Sequence, residues 1–380
     1  MGKLFKYLRM FAYKFLPRRR DVIVFGAWLG ERFTDNSMQL FLEASEYEEL
    51  TCYWVTKSKE IYRELKKQGL NVCMFGSKKS KKIHKKAGFA VVSNGISDVE
   101  HEYLGGAVII DLWHGIPLKK IAFDNNYEVN HDSPLQKLKR FFKYLPYKKI
   151  YYVAPSENFT DIYMSAFRTK RENILTLGQP RNDVFFEGKA RENFPGKKII
   201  LYCPTHRKEG EVEINIQKIF PLDKLEKFLE ENDYYFMIKK HFYHREEITN
   251  LSKYKRIFDI TQGAYDIQEL IMEAKLLITD YSSIYIDYLL LNKPLLFYCY
   301  DLEDYLKNDR EMYFDYNAVT PGNKATTKSE FMEEIEKYFE EQDAYEEEDR
   351  ESLKNFFYCK RGQQNVGRVI ISYILDGRLG

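Results

Sequence analysis

Five segments carry the side chains that can do chemistry, and each follows an apolar, strand-like run. Val108 to Asp124 reads VIIDLWHGIPLKKIAFD. His114 directly follows its run, and Gly115 lets a ligand or a backbone come close. A neutral imidazole at such a strand end suits general-base work near neutral pH. Lys119 and Lys120 either steer an anionic substrate or face water. LYCPTHRKEG sets Thr205, His206 and Arg207 after a second run. A hydroxyl and a planar fork of donors fit phosphate oxygens, where the alternative is an ordinary polar turn. FMIKKHFYH supplies Lys239, Lys240, His241 and His244. No cysteine or acidic cluster completes a metal set with the two histidines, so a phosphate contact at His241 is the better reading. In LLITDYSSIYIDYLLLNKP the run ends at Thr279-Asp280 and a helix begins near Ser282 and Ser283. Serines there cap a helix, and its free N–H groups and dipole attract anions. Asp287, four residues after Ser283, falls on the same helix face. LGQPRND sets Arg181 after a further run. There is no Walker P-loop, and no GxGxxG follows a strand.

The elements that must position these residues alternate along the chain. DVIVFGAW, TCYWVTK, NVCMFG, GFAVVSNG, AVIIDLWHG, KIYYVAPS and NILTLGQP are short, rich in Val, Ile, Tyr and Phe, and end in turn-forming residues. Helix-compatible stretches such as SKEIYRELKKQG lie between them. After the polar stretch FFEGKARENFPGKK the alternation restarts with KIILYCPT, YYFMIKKH, RIFDIT, LLITDYSS and PLLFYCY. This is the pattern of two doubly wound α/β domains with parallel sheets, in which ligands bind at the carboxyl ends of the strands. We divide the chain into a basic N-terminal helix (1–20), an N-terminal domain (21–190), a C-terminal domain (191–350) and a closing helix (351–380). The acidic run EEIEKYFEEQDAYEEEDRES reads as a solvated helix.

Composition sets bounds on function. A net charge of +2 in 380 residues gives no global field for nucleic acid. The five cysteines are scattered without CxxC spacing, as reduced, buried thiols are. No apolar run approaches the ~18 residues of a membrane span. The start, MGKLFKYLRMFAYKFLPRRR, is an amphipathic pattern, not a signal peptide: Leu4, Leu8, Phe11 and Phe15 share a face flanked by Lys and Arg. Such a helix can lie on an anionic leaflet or pack on its domain. PLQKLKRFFKYLPYKK offers a second candidate of the same kind.

Taken together, LWHGIPLKKIAFD, GQPRND, LYCPTHR, IKKH and ITDYSSIYIDYLLLNKPLLFYCYDLEDY resemble the CDP-glycerol glycerophosphotransferase family of teichoic-acid and capsule synthesis. They stand in the family's order across roughly residues 107–305, and the length resembles the short, primase-like members. The resemblance implies a GT-B-like fold of two facing Rossmann-type domains with a cleft between them. It implies transfer of a polyol phosphate, glycerol phosphate foremost, from a CDP-polyol to a hydroxyl of an undecaprenyl-linked saccharide, with release of CMP. His114 is then the base. Thr205, Arg207, His241, Ser282 and Ser283 surround the donor pyrophosphate, with Asp280, Asp287, Lys239, Arg181 and Gly115 as further substrate contacts and His241 also catalytic. The enzyme is expected at the cytoplasmic face of the membrane as a peripheral protein, with no cofactor, no metal and no nucleic-acid partner, and possibly as a homo-oligomer. Ile116, Ala122, His206 and Phe242 depart from the family's usual residues without removing a catalytic group. Three alternatives stay open: a nucleotide-sugar glycosyltransferase, a CDP-ribitol-dependent transferase, and a non-catalytic membrane-surface protein.

Overall fold

The computed structural model describes residues 10–125, 146–188, 192–207, 212–240, 248, 250–263, 265–308, 311–358 and 364–379. His241, His244, residues 1–9 of the basic N-terminal segment and most of Pro134–Lys149 lie outside the described residues. The chain forms two compact units. The first runs through Ile116, resumes at Ile121, ends at Asp183 and takes in the chain from Tyr358 onward. The second comprises Pro117–Lys120 and Val184–Phe357.

The first unit is a parallel seven-stranded sheet in the order β3-β2-β1-β4-β5-β6-β7. Its strands are β1 (Arg19–Gly26), β2 (Thr51–Thr56), β3 (Val72–Met74), β4 (Ala87–Val92), β5 (Val108–Asp111), β6 (Lys149–Ala154) and β7 (Ile174–Thr176). The apolar runs become strands because helices cover both faces, so every position of β4 and β5 is buried. Side chains alternate between two cores: Ile23, Phe25, Phe89, Val91 and Ile110 enter one, and Val22, Val24, Ala90, Val92 and Ile109 the other. Helices α1 (Asp35–Ala44), α2 (Lys59–Lys67), α3 (Lys78–Lys86) and α4 (Thr160–Ala166) connect the strands. The final helix of the chain returns to this unit and packs Val366, Ile370, Ile371 and Ile374 into the first core.

The second unit is a parallel six-stranded sheet in the order β10-β9-β8-β11-β12-β13. Its strands are β8 (Lys198–Cys203), β9 (Tyr234–Ile238), β10 (Ile257–Asp259), β11 (Ala274–Thr279), β12 (Leu295–Tyr298) and β13 (Lys324–Ala325). Helices α5 (Leu222–Asn232), α6 (Ile267–Glu273), α7 (Ile284–Leu289), α8 (Lys328–Glu341) and α9 (Glu347–Phe357) flank it. The acidic stretch forms α8 and α9, with a Thr327–Glu330 capping box at the start of α8.

Strand order reverses between β1 and β4 in the first sheet and between β8 and β11 in the second. Such switch points open a crevice at the carboxyl ends of the strands. No helix among the described residues is long and apolar enough to cross a membrane.

Candidate active site

In the first unit His114 sits beyond β5, beside the switch point. Its Nδ1 is 3.2 Å from the carbonyl oxygen of Ser93, which follows β4. A carbonyl only accepts, so Nδ1 carries the proton and Nε2 is the basic nitrogen. Trp28, after β1, packs its ring 5.4 Å from the imidazole, and Trp113 lies at 4.4 Å. The backbone is bent to achieve this: Trp28, Leu29 and Trp113 have φ of 48°, 58° and 57°. L residues occupy this left-handed region only when their surroundings hold them there.

Two buried carboxylates do the holding. Asp98 accepts from the N–H groups of Leu29 (2.7 Å), Ser93 (3.0 Å) and Asn94 (2.6 Å). Asp111 accepts from the N–H of Trp113 at 3.0 Å. Burial raises Asp98 to about 6, opposed by its three backbone donors, and raises Asp111 to about 7, with Asp98 adding to the latter. Arg181 donates from Nη1 to the His114 carbonyl (3.1 Å) and to Asp35 (3.0 Å). Asn36 donates from Nδ2 to the Trp113 carbonyl (2.9 Å) and Gln179 (2.7 Å), and its Oδ1 accepts from the Arg181 N–H (3.0 Å). Arg181 is thus a brace under the His114 backbone. Gly115 is buried with a φ of 149°.

In the second unit the residues after β8 and β11 form one network. Asp280 is fully buried and accepts from the Thr205 N–H (2.8 Å), the Tyr281 N–H (2.6 Å) and Arg207 Nη2 (2.9 Å). Arg207 also donates through Nε and Nη2 to Asp301 (2.7 and 2.9 Å) and through Nη1 to the Thr205 carbonyl (2.6 Å). Its guanidinium lies 4.9 Å from the Tyr281 ring and 5.2 Å from Tyr305, and those two rings stack at 3.8 Å. Burial pushes the Arg207 pKa down, but Asp280 and the Asp301 hydrogen bond outweigh it and hold the group firmly charged.

Two carboxylates of its own chain thus take the Arg207 fork, partners that the reading of Arg207 as a phosphate contact did not include. The Asp280 carboxylate is engaged by the loop after β8 and by its own chain neighbour Tyr281. Asp287 is fully buried on α7, where Gln268 donates to it at 3.1 Å. The pair of serines differs from the expected caps as well. Ser282 Oγ accepts from the Ile284 N–H at 3.4 Å, and Ser283 makes no side-chain cap. Lys239 Nζ donates to the Thr261 and Gly263 carbonyls at 3.1 and 3.3 Å. Thr205 is nearly buried, and its Oγ1 has no hydrogen-bond partner among the described residues. The lysines after His114 belong to this unit: Lys120 pairs with Glu311, and Lys119 Nζ lies 4.9 Å over the Tyr305 ring. Among the described residues no cluster of three or more His, Cys, Asp or Glu could hold a metal ion.

A family model described as CDP-glycerol:poly(glycerophosphate) glycerophosphotransferase matches residues 8–373. The chain belongs to this family. A teichoic acid poly(glycerol phosphate) polymerase of Bacillus spizizenii is 33% identical over 243 residues, covering 60% of this chain and 60% of the relative. A teichoic acid glycerol-phosphate transferase of Staphylococcus aureus is 29% identical over 270 residues, 67% of this chain and 68% of its own length. The chain therefore spans about 60% of the length of the first of these relatives. The solved structure of the wall teichoic acid polymerase TagF superposes with a TM-score of 0.75 at 25% identity, covering 98% of this chain and 94% of that one. The GT-B-like architecture of two parallel α/β units follows from this likeness and from the strand orders.

The motif reading missed Asp98, Ser93, Asp111 and the Asp35–Asn36 brace. Asp98 and Asp111 carried one signal, an acid within or beside a buried apolar run, which demands a partner. Ser93 acts through its backbone and carries none.

Proposed function

We propose that this protein transfers glycerol phosphate from CDP-glycerol to a hydroxyl of a lipid-linked saccharide in teichoic-acid or capsule-type polymer synthesis. What supports the reading is membership of the family together with His114 Nδ1 lying 3.2 Å from the Ser93 carbonyl beside a sheet's switch point, an arrangement that leaves Nε2 to act as the base we propose. In the reaction the acceptor oxygen attacks the glycerol-bearing phosphorus of CDP-glycerol. His114 Nε2 takes the hydroxyl proton, the new P–O bond forms, and the bond to the bridging oxygen breaks to release CMP. We assign acceptor binding to the N-terminal domain and donor binding to the C-terminal domain. There Thr205 and the serines after β11 meet the pyrophosphate, together with His241, and Arg207 and Asp280 hold the loop that carries Thr205. Fixed donors stabilise the phosphoryl charge without reorganising.

The acceptor requires a membrane surface, and α3 supports one beside the N-terminal segment. Its sequence is KKSKKIHKK. Like charges spaced three and four apart repel on a helix, yet this one is held by the Ser77 cap and by buried Ser80 and His84. Lys78, Lys81, Lys82, Lys85 and Lys86 line a groove with Leu16 and Pro17. Phe15 beside it is 85% exposed. Cations around an exposed apolar side chain suit an anionic leaflet.

The test of the transfer is a donor panel of CDP-glycerol, CDP-ribitol and UDP-sugars with a lipid-linked disaccharide. CMP release with CDP-glycerol supports the reading. UDP release from a sugar donor, with CDP-glycerol inert, overturns it.

A further inference from the structure

We infer that Asp98 is a positioning residue for His114 and acts on it through a single peptide group. This deepens the reading of His114 as the acceptor base and rests on it. The peptide between Ser93 and Asn94 is engaged at both ends. Its carbonyl oxygen accepts from His114 Nδ1 at 3.2 Å, and its N–H donates to Asp98 Oδ2 at 2.6 Å. A peptide group is conjugated, so an anion at its N–H end adds negative charge to its carbonyl oxygen. The Asp98 carboxylate thereby reaches the imidazole through one peptide, where a catalytic triad uses a direct carboxylate–imidazole bond.

Two consequences follow for the reaction. The Nδ1–H tautomer is fixed, so the lone pair stays on Nε2. When Nε2 takes the acceptor proton, the polarised Ser93 oxygen meets the positive charge that appears on the ring.

The rest of the geometry fits this role. Asp98 is fully buried, and its Oδ2 takes the Ser93 N–H as well, so one oxygen pins both ends of residue 93. Its Oδ1 holds the Leu29 N–H at 2.7 Å and with it the left-handed turn that carries Trp28 against the imidazole. Burial raises Asp98 only to about 6, so the group is ionised at neutral pH. Asp35 and Asp111 also face this spot: like charge couples Asp35 to Asp98 and Asp98 to Asp111, and both side chains make their hydrogen bonds elsewhere. Asp111 takes the Trp113 N–H, and Arg181, paired with Asp35, donates to the His114 carbonyl.

The test uses the full chain labelled with ¹⁵N-histidine, with H114Q assigning the His114 signals among the seven histidines. In the wild type His114 is expected as the Nδ1–H tautomer. Finding it as Nε2–H overturns the inference without any variant. Asp98→Asn keeps the shape but puts an amide NH₂ where an acceptor was. It is expected to populate the other tautomer and to lower kcat about ten- to hundredfold, with KM for CDP-glycerol unchanged. A kcat loss with the tautomer unmoved would mean a merely structural role and overturns the inference, as would no change in either. His114→Ala retaining full turnover is a different result: it removes the base reading itself.

Discussion

At the scale of the residue, the proposed transfer depends on an imidazole whose Nδ1 faces the Ser93 carbonyl. His114→Ala is expected to lower kcat by about 10²–10⁴, the range of general-base catalysis, while calorimetric binding of CDP-glycerol is unchanged. Equal loss of donor binding would argue against the assignment. The buried acids behind it carry a pH signature. Burial holds Asp98 at about 6 and Asp111 at about 7, above the ~3.9 of an unfolded aspartate. The folded state thus keeps protons that the unfolded chain releases. That contribution is fully present below about pH 4 and is lost as pH rises through 6 to 7. His84, which burial lowers to about 4, works oppositely: its contribution is present above about 6.5 and is lost as pH falls toward 4. Asp111→Asn keeps an acceptor for the Trp113 N–H but cannot ionise. Its Tm should gain on the wild type from pH 5 to about pH 7 and then level off; a difference that is flat with pH throughout would contradict the burial argument.

At the scale of the element, the loop after β8 is tied to the loops after β11 and β12 by one guanidinium. Arg207→Ala would leave the fully buried Asp280 without its countercharge. Removing one partner of a buried pair costs about 3–5 kcal/mol, and urea denaturation should read a loss of that size in the second unit. Unchanged stability with abolished CDP-glycerol binding would instead mark Arg207 as a direct donor contact. The strands were legible from the sequence because buried parallel strands are continuous runs of Val, Ile, Phe and Tyr bounded by turn residues. β13 was not: two residues, Lys324 and Ala325, carry no pattern. The places of His114 and Thr205 beyond strand ends were legible because a polar side chain after an apolar run stands out. The fate of Arg207 was not, since its carboxylates lie 73 and 94 residues away in the chain. Asp98 was hidden for another reason: the Leu29, Ser93 and Asn94 groups it binds are backbone N–H groups, which look alike in every residue.

At the scale of the whole molecule, the lipid-linked acceptor we propose would require the protein to reach a bilayer surface. Lys78, Lys81, Lys82 and Lys86 replaced together by Gln should weaken co-sedimentation with phosphatidylglycerol vesicles at least about tenfold, given about 1 kcal/mol for each lysine near an anionic surface. Added salt should weaken the wild type in the same sense. Binding that is unaffected by either change would remove α3 from the docking surface. Mass spectrometry of the acceptor reads the proposed transfer itself. With CDP-glycerol and a lipid-linked disaccharide, the account expects the acceptor to gain glycerol phosphate and one CMP to appear for each unit added. An acceptor of unchanged mass in the presence of CDP-glycerol, with mass gained instead from a UDP-sugar, would contradict it.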